Sequence, residues 1–297
     1  MILLITGSLD GTADLLVSKI GSSNIFRFNY DLFNEYYLEF TPAYWEIRNP
    51  TGHTINSNNV SSAFWWKAFN FYIQDQEEFL VEEIKYIYRE IYHWCRLKGI
   101  TKGNPHDFHN QLGKLNILNI ASKYFQIPKT LVTFKLAGVD TFVNNQVVAK
   151  SLTSGLTTTN KALFTSAINL KQLHPNYPWF LQEQLNSEVD ITVFICGEKY
   201  FAYYRDRSDL VGLDWRKEQN FDNPLAKEWI RFQLTTLQQQ SISNFNKELK
   251  VDWGRIDFMG SINDLVFLEF NANGQWVFLD YSDEDGLVTS VSQYLLN

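Results

Sequence analysis

The chain holds 297 residues, 45% of them hydrophobic and 20% charged, and its 26 Lys and Arg against 33 Asp and Glu leave a net charge of −7. That length predicts two or three lobes with their own cores, and the acidic balance excludes a broad nucleic-acid surface. No apolar run approaches the roughly 18 residues of a membrane-spanning helix, and Cys95 and Cys196, far apart in apolar surroundings, read as buried thiols in a reducing, cytoplasmic setting.

At the start, "MILLITGSLDG" lacks a basic segment and carries only a short apolar run, so residues 2–6 are expected to be a strand and not a signal peptide. "SLDGTADLLVSKI" gives a turn and a helix, with Leu15, Leu16 and Ile20 at helical spacing. Strand-like pieces follow at 24–29 and 36–48. From Val60 to Leu97 runs the longest helical pattern, through Phe64, Ala68, Phe71, Phe79, Ile84, Ile87, Ile91 and Trp94. "KGITKGNP" ends it and closes an N-terminal α/β lobe over 1–99.

A central lobe is assigned to 100–178. It opens with a helix over 107–125, whose stripe is Leu112, Leu115, Leu118, Ala121 and Phe125; Pro128 stops it. "TLVTF" and "VVAK" are strands, the second running into the small loop "SLTSG". The C-terminal lobe, 179–297, begins with the strand "WFLQEQL". A hairpin about Gly197 and Glu198 follows, then a helix through "NPLAKEWIRFQLTTLQQQSISNFNKEL", a second hairpin, and a terminal helix near 285–296.

The second hairpin, "RIDFMGSINDLVFLEFN", places acids inside apolar strands. Residues 264–271 alternate, with Val266, Leu268 and Phe270 on one face and Leu265, Phe267, Glu269 and Asn271 on the other. A turn centred on Asn263 pairs Asp257 with Glu269 and Arg255 with Asn271. Opposed carboxylates repel. A divalent cation reverses that sign, and two carboxylates plus an amide oxygen suit Mg²⁺; a solvent-facing hairpin with scattered charges is the alternative.

Other residues are compatible with phosphate and carboxylate chemistry. Lys150 ends an apolar strand before hydroxyl-rich "SLTSG" and can reach a phosphate as a point charge, or lie on the surface. Lys114 sits off the apolar stripe of its helix. "LQEQL" offers backbone groups that can read an adenine, with Glu183 nearby. Arg205, Asp206 and Arg207 after a strand, and Asp214, Trp215 and Arg216 in "GLDWR", offer arginines that can bind a carboxylate or form surface pairs. The five histidines show no zinc spacing, and His106 and His109 read as cap and turn residues. There is no GxxxxGK[ST] and no GxSxG.

Taken in order, "IPKTLVTF", "VVAKSLTSG", "FLQEQLNSEVDITVFICGEKYFAYYRDR", "LDWR" and "WGRIDFM…FLEFNANGQW" resemble an ATP-grasp ligase over roughly 104–280. They look most like the microviridin-type ligases, or graspetide synthetases, which modify ribosomally made peptides. "YWEIRNP" also resembles the N-terminal segment of that family.

The resemblance implies an ATP-grasp fold, mixed α/β, with three lobes and the nucleotide held between sheets of the central and C-terminal lobes. It implies ATP and two Mg²⁺ ions, the latter held by Asp257, Glu269 and Asn271. Lys114, Lys150, Ser154 and Gly155 would contact phosphates, Gln182, Glu183, Gln184 and Leu185 would form the adenine hinge, and Asp190 would lie near the nucleotide. The family often has Asp-Ile-Arg there, where this chain has Thr192. Arg255 would face the transferred phosphoryl group, and Arg205 and Arg216, oriented by Asp214, would receive the substrate carboxylate.

The implied activity is that of an ADP-forming ligase. It would convert Asp or Glu side chains of a precursor peptide into acyl phosphates and close macrocycles onto Thr/Ser hydroxyls or Lys amines. The partner would be a peptide with a leader segment, and the enzyme a homodimer, with no nucleic acid and no membrane. Addition of a free amino acid to a peptide or small acid is an alternative, as is a non-catalytic nucleotide- or peptide-binding role.

Overall fold

The computed structural model describes residues 1–67, 77–105, 107–142, 145–152, 165–210, 212–213 and 227–297. The first lobe runs β1 (Ile2–Thr6), α1 (Gly11–Ile20), β2 (Ile25–Asn29), β3 (Tyr37–Phe40), β4 (Trp45–Arg48), β5 (Thr54–Asn56), β6 (Ser62–Trp65), α2 (Glu78–Leu97) and β7 (Thr101–Lys102). Its main sheet has the order β2-β1-β6-β7, with every pair parallel. Every residue of β1 and β6 is buried, as expected of continuous apolar strands covered on both faces. Asp10 caps α1, its Oδ1 accepting from Ala13 N at 2.9 Å. Strands β3, β4 and β5 form a separate antiparallel sheet.

The helical stripe expected from Val60 is corrected here. Ser62–Trp65 is a strand, and the helix is Glu78–Leu97, buried through Ile84, Tyr88, Ile91, Tyr92 and Cys95. A short apolar run such as "SAFW" has no period that separates strand from helix. Ala68 and Phe71 lie outside the described residues.

The second section contains α3 (Phe108–Leu112), α4 (Lys114–Ala121), β8 (Thr130–Thr133), β9 (Val147–Lys150), β10 (Ser166–Ile168) and β11 (Trp179–Glu183). The helix expected over 107–125 is broken at Gly113, whose φ of +75° suits glycine. The antiparallel sheet order is β10-β9-β11-β8. A boundary at 178 therefore cuts this sheet; the chain leaves it after Glu183. Likewise β7 extends the first lobe past residue 99.

The third section contains β12 (Val189–Cys196), β13 (Lys199–Asp206), β14 (Ile230–Phe232), α5 (Thr236–Leu249), β15 (Trp253–Ser261), β16 (Asp264–Asn271) and α6 (Leu287–Leu296). Its sheet is antiparallel in the order β14-β13-β12-β15-β16. The helix expected from 223 starts only at Thr236, because Ile230–Phe232 is an edge strand and Thr235 with Gln238 forms a capping box. Ile242, Phe245 and Leu249 of α5 pack under the sheet with Phe258, Phe267 and Phe270. Helix α6 returns to the first lobe: Leu287, Val291 and Leu295 share a core with Ile2, Leu4, Trp253 and Trp276. Ser62 Oγ donates to the Leu295 carbonyl at 2.7 Å.

The β15–β16 hairpin carries a bulge. Asp257 pairs with Glu269 and Arg255 with Asn271, but Phe258 pairs with Phe267, so Leu268 is the extra residue. This corrects the simple alternation. Leu265 and Phe267 face the core together with Phe270, while Leu268 and Glu269 line the open side. A bulge re-aims the side chains beyond it, and here it turns Glu269 out of the core.

Candidate active site

A cleft lies between the sheet of β9 and β11 and the sheet of β12, β15 and β16. It has about 920 Å³ of open space including its mouth, and Lys150, Gln182, Asp190, Arg255, Asp257 and Glu269 are among its lining residues. β9 delivers Lys150 at its last position, β11 delivers Gln182 and Glu183, and the bulged hairpin delivers the acids.

Asp257 accepts from three side chains. Arg255 holds it bidentately, Nε to Oδ1 and Nη2 to Oδ2, both at 2.9 Å. Thr192 Oγ1 donates to Oδ1 at 2.8 Å, and Asn271 Nδ2 donates to Oδ2 at 2.6 Å. The same Asn271 Nδ2 reaches Glu269 Oε1 at 3.1 Å. Thr192, where the family pattern has Arg, is thus a positioning partner of Asp257. Arg255 is itself fixed, with Nη1 donating to the Gln275 carbonyl at 2.7 Å and its guanidinium 5.7 Å from the Phe278 ring centre.

This donor set fits Mg²⁺. Two carboxylates stand on adjacent strands, and the amide that bridges them carries an oxygen at its other end. Among the described residues no group of three or more His, Cys, Asp or Glu gathers to hold a metal. The set is therefore two acids and one amide, the composition of a hard-cation site and not a zinc site.

Two lysines approach from the central lobe. Lys150 lines the cleft. Lys114, the first residue of α4, donates to the Ser151 carbonyl at 2.7 Å, which ties that helix to the end of β9. Burial lowers its ammonium pKa, and the charge of Glu269 opposes that shift. His109 on α3 is lowered by burial and by Lys114, again against Glu269. So Lys114, His109 and Glu269 sense one another electrostatically.

Gln182–Leu185 line the cleft at the end of β11. Gln182 is buried and its Nε2 donates to Thr130 Oγ1 at 3.0 Å. The N–H groups of Glu183 and Gln184 already donate to the Lys129 and Gln146 carbonyls, both at 2.8 Å. Recognition of a base by those two N–H groups is thereby excluded in this arrangement, which leaves carbonyl acceptors and Leu185. Glu183 Oε1 accepts from Asn145 Nδ2 at 2.9 Å.

Asp190 is buried in the cleft wall and paired with Arg207, Nη1 to Oδ1 at 2.5 Å. Burial raises its pKa, and Arg207 only partly offsets this. Its Oδ2 is buried without a partner among the described residues. Arg205, in contrast, is not brought to the cleft. Its guanidinium is buried against Asp209, at 2.6 Å, and the carbonyls of Lys227 and Asp206, at 3.1 Å each. Of the two, it is Arg207, two residues on, that lines the cleft. Ser154, Gly155, Asp214 and Arg216 lie outside the described residues.

Sequence reasoning did not single out Arg207, Thr192, His109, Trp229 or Phe278 as site residues. Arg207 left a mark as part of the triplet Arg205-Asp206-Arg207, Thr192 as a departure from Asp-Ile-Arg, and His109 only as a cap or turn residue. Thr192 becomes a neighbour of Asp257 through strand pairing, and Trp229 and Phe278 meet the site from segments distant in sequence.

No protein-family model and no curated protein matches the sequence. Solved structures do. The chain is similar to a RiPP-associated ATP-grasp ligase of Chryseobacterium gregarium, solved with ADP and a leader and core peptide. The TM-score is 0.81 and the identity 23%, over 99% of this chain and 96% of that one. It is similar to the macrocyclase MdnC of Microcystis aeruginosa MRC bound with the precursor peptide MdnA, with TM-score 0.78 and 18% identity over 100% of both chains. It is also similar to the ATP-grasp ligase PsnB, solved with a phosphomimetic variant of its minimal precursor, Mg and ADP, with TM-score 0.73 and 12% identity over 99% and 97%. The likeness runs the length of the chain, which has the ATP-grasp fold.

Proposed function

We propose that this chain is an ADP-forming ligase. It activates Asp or Glu side-chain carboxylates of a ribosomally made precursor peptide and joins them to Thr/Ser hydroxyls or Lys amines. The observation that carries this reading is the convergence of Asp257, Glu269 and Asn271 on a cleft that also holds Lys150 and residues 182–185. The similar ligases were solved with ADP, with Mg, and with precursor, leader or core peptides.

A carboxylate is a poor electrophile, and transfer of a phosphoryl group from ATP converts it to an acyl phosphate. Mg²⁺ held by Asp257, Glu269 and Asn271 would supply charge neutralisation at the phosphates. Lys150 and Lys114 place positive charge on the opposite wall. Arg255, clamped between Asp257 and Gln275, orients the transferred group without reorganising. Gln182–Leu185 and the buried Asp190–Arg207 pair shape the base and ribose end. A hydroxyl or amine of the same peptide then attacks the acyl carbon and releases phosphate. Two ions, a homodimer, and a leader-binding surface on the central and C-terminal lobes belong to the same proposal.

Co-expression with a candidate precursor encoded nearby, read by mass spectrometry, tests it. Successive losses of one water with ADP release that requires Mg²⁺ are expected. Mass gain from an added amino acid would move the activity to the alternative ligase class. No ADP release with any carboxylate peptide would overturn it.

A further inference from the structure

The Asn271 amide is engaged at one end only. Its Nδ2 donates to Asp257 Oδ2 at 2.6 Å and to Glu269 Oε1 at 3.1 Å, whereas its Oδ1 accepts from no group among the described residues. Ionised carboxylates accept and do not donate, so it is the NH₂ end of the amide that can stand between them. Both acids line the cleft. A cation bonded to the same two oxygens and the amide nitrogen compete for one position.

The backbone that carries this amide is fixed. Asn271 is the last residue of β16 and pairs with Arg255. Its carbonyl accepts from Gly274 N at 3.1 Å. Gly274 packs so closely that a Cβ there would lie 3.0 Å from the Asn271 Cβ. Strand pairing and this contact leave rotation about Cβ–Cγ, an sp³–sp² torsion with a broad, roughly two-fold profile. A half-turn exchanges Nδ2 and Oδ1 with little change of shape, because the two ends of a primary amide are nearly the same size.

The surroundings of Asp257 make that exchange matter. Its Oδ1 accepts from Arg255 Nε and Thr192 Oγ1, and its Oδ2 from Arg255 Nη2 and Asn271 Nδ2. These four hydrogen bonds match the roughly four acceptor sites of a carboxylate. Arg255 is held in turn by the Gln275 carbonyl at 2.7 Å, and Thr192 is buried on β12 opposite Asp257. Asn271 is the donor that a half-turn in place removes.

We propose that the Asn271 amide is a latch that admits a divalent cation to the Asp257–Glu269 pair. This rests on the ligase reading for the identity of the cation, and deepens it by assigning the residue that gates the site. With Nδ2 inward, Asn271 bridges the two acids. With Oδ1 inward, it becomes the third oxygen ligand. The turn gives up two hydrogen bonds to charged acceptors, so the latch opens only for an ion that attracts the acids more strongly than the NH₂ group does. At one distance K⁺ has half the Coulomb attraction of a divalent ion for the same acids. Asn271 thereby discriminates against monovalent cations.

The test is NMR of the side-chain amides in full-length protein labelled with ¹⁵N-asparagine. The Asn271 signal is assigned by its loss in Asn271→Ser or, as a second variant, Asn271→Asp. Without added metal, its protons are expected to exchange with solvent about 10- to 100-fold more slowly than those of the exposed Asn58. Saturating Mg²⁺–ADP should move both resonances and cancel that protection. ADP alone, or KCl at the same ionic strength, should leave both in place. Calorimetry on the same samples measures whether Mg²⁺–ADP binds. Bound Mg²⁺–ADP with an unmoved, protected Asn271 amide overturns the latch and leaves the ligase reading standing. Absence of Mg²⁺–ADP binding overturns both. A response to ADP alone assigns the movement to the nucleotide, and a response to KCl removes the selection by charge; either overturns the latch.

Discussion

Asp257 and Glu269 face each other across adjacent antiparallel strands, with the Asn271 amide donating to both carboxylates at 2.6 and 3.1 Å. One side of this pair is quenched by Arg255, and Glu269 stands nearer the lysine side of the cleft. A pair of that kind is stabilised by a cation and not by burial. Glu269→Gln should therefore act with opposite signs on two readouts. In metal-free protein it relieves repulsion and should raise stability by roughly 0.2–1 kcal/mol. With Mg²⁺ and ATP it should cut ADP release by about 100-fold or more. In wild type, Mg²⁺–ADP at a hundred times its Kd should add about 2.7 kcal/mol by mass action, and a chelator should remove most of it. Denaturant titrations of both proteins, with and without Mg²⁺–ADP, check the signs.

Arg205 and Arg207 are two residues apart and should separate cleanly. Each is a buried ion-pair partner, Arg205 with Asp209 and Arg207 with Asp190. Removing either guanidinium strands a buried carboxylate, so Arg205→Ala and Arg207→Ala should each cost about 3 kcal/mol. Only Arg207 lines the cleft. Arg207→Ala should also weaken ADP binding, whereas Arg205→Ala should leave it within twofold of wild type. Equilibrium unfolding and ADP titration on the same two proteins measure both effects.

Lys67 makes a pH-dependent prediction with a definite sign. Burial, then the charge of Arg255, holds its ammonium down at about 8 from 10.5, with Asp10 opposing. The unfolded chain keeps that proton up to about 10.4. Between those values the unfolded state binds more protons, so stability rises with pH. Below pH 8 the cost of the buried charge is constant. The stability of wild type minus that of Lys67→Met should therefore climb between pH 8 and 10.4, by at most about 3 kcal/mol. The subtraction cancels the tyrosines that titrate over the same range. A flat difference would place Lys67 in solvent.

The pairing of Asp257 with Glu269 and of Arg255 with Asn271 was legible because strands alternate with period two and the turn residues "GSIND" locate the hairpin. The bulge at Leu268 was not, since one extra residue changes the count without changing the composition. β6 and β14 were read as helix because strands of three or four residues carry no period. Gln182–Leu185 fall at the end of a strand, but the capture of the Glu183 and Gln184 N–H groups depends on Lys129 and Gln146, which lie just before β8 and β9. Arg205 and Arg207 look alike in sequence. What separates them is Lys227, whose carbonyl takes Arg205 from twenty-two residues away. Lys67 drew no reading in the sequence, because Trp66 beside it is buried by Trp253 and Trp276, from the far end of the chain.

Two glycines hold Asn271 in place, and each predicts a graded loss. Gly254 has a φ of +135°, and a Cβ there would lie 2.6 Å from the Phe270 ring and 3.3 Å from the Asn271 carbonyl. Gly254→Ala combines backbone strain with a clash against a core ring, so it should destabilise by about 2–4 kcal/mol. At Gly274 a Cβ would meet the Asn271 Cβ at 3.0 Å and the Arg255 Cβ at 3.2 Å, with no positive φ to overcome. Gly274→Ala should therefore cost about 1 kcal/mol or less of stability. It pushes directly on the amide that bridges the two acids, and on the arginine that fixes Asp257. Its main effect should be on Mg²⁺ dependence, read as a rise in the Mg²⁺ concentration for half-maximal ADP release. If both variants lost stability in the same proportion as Mg²⁺ affinity, the cation would be reporting the fold alone. A Gly274→Ala protein that stays stable yet needs more Mg²⁺ would tie the cation to the bridge made by Asn271.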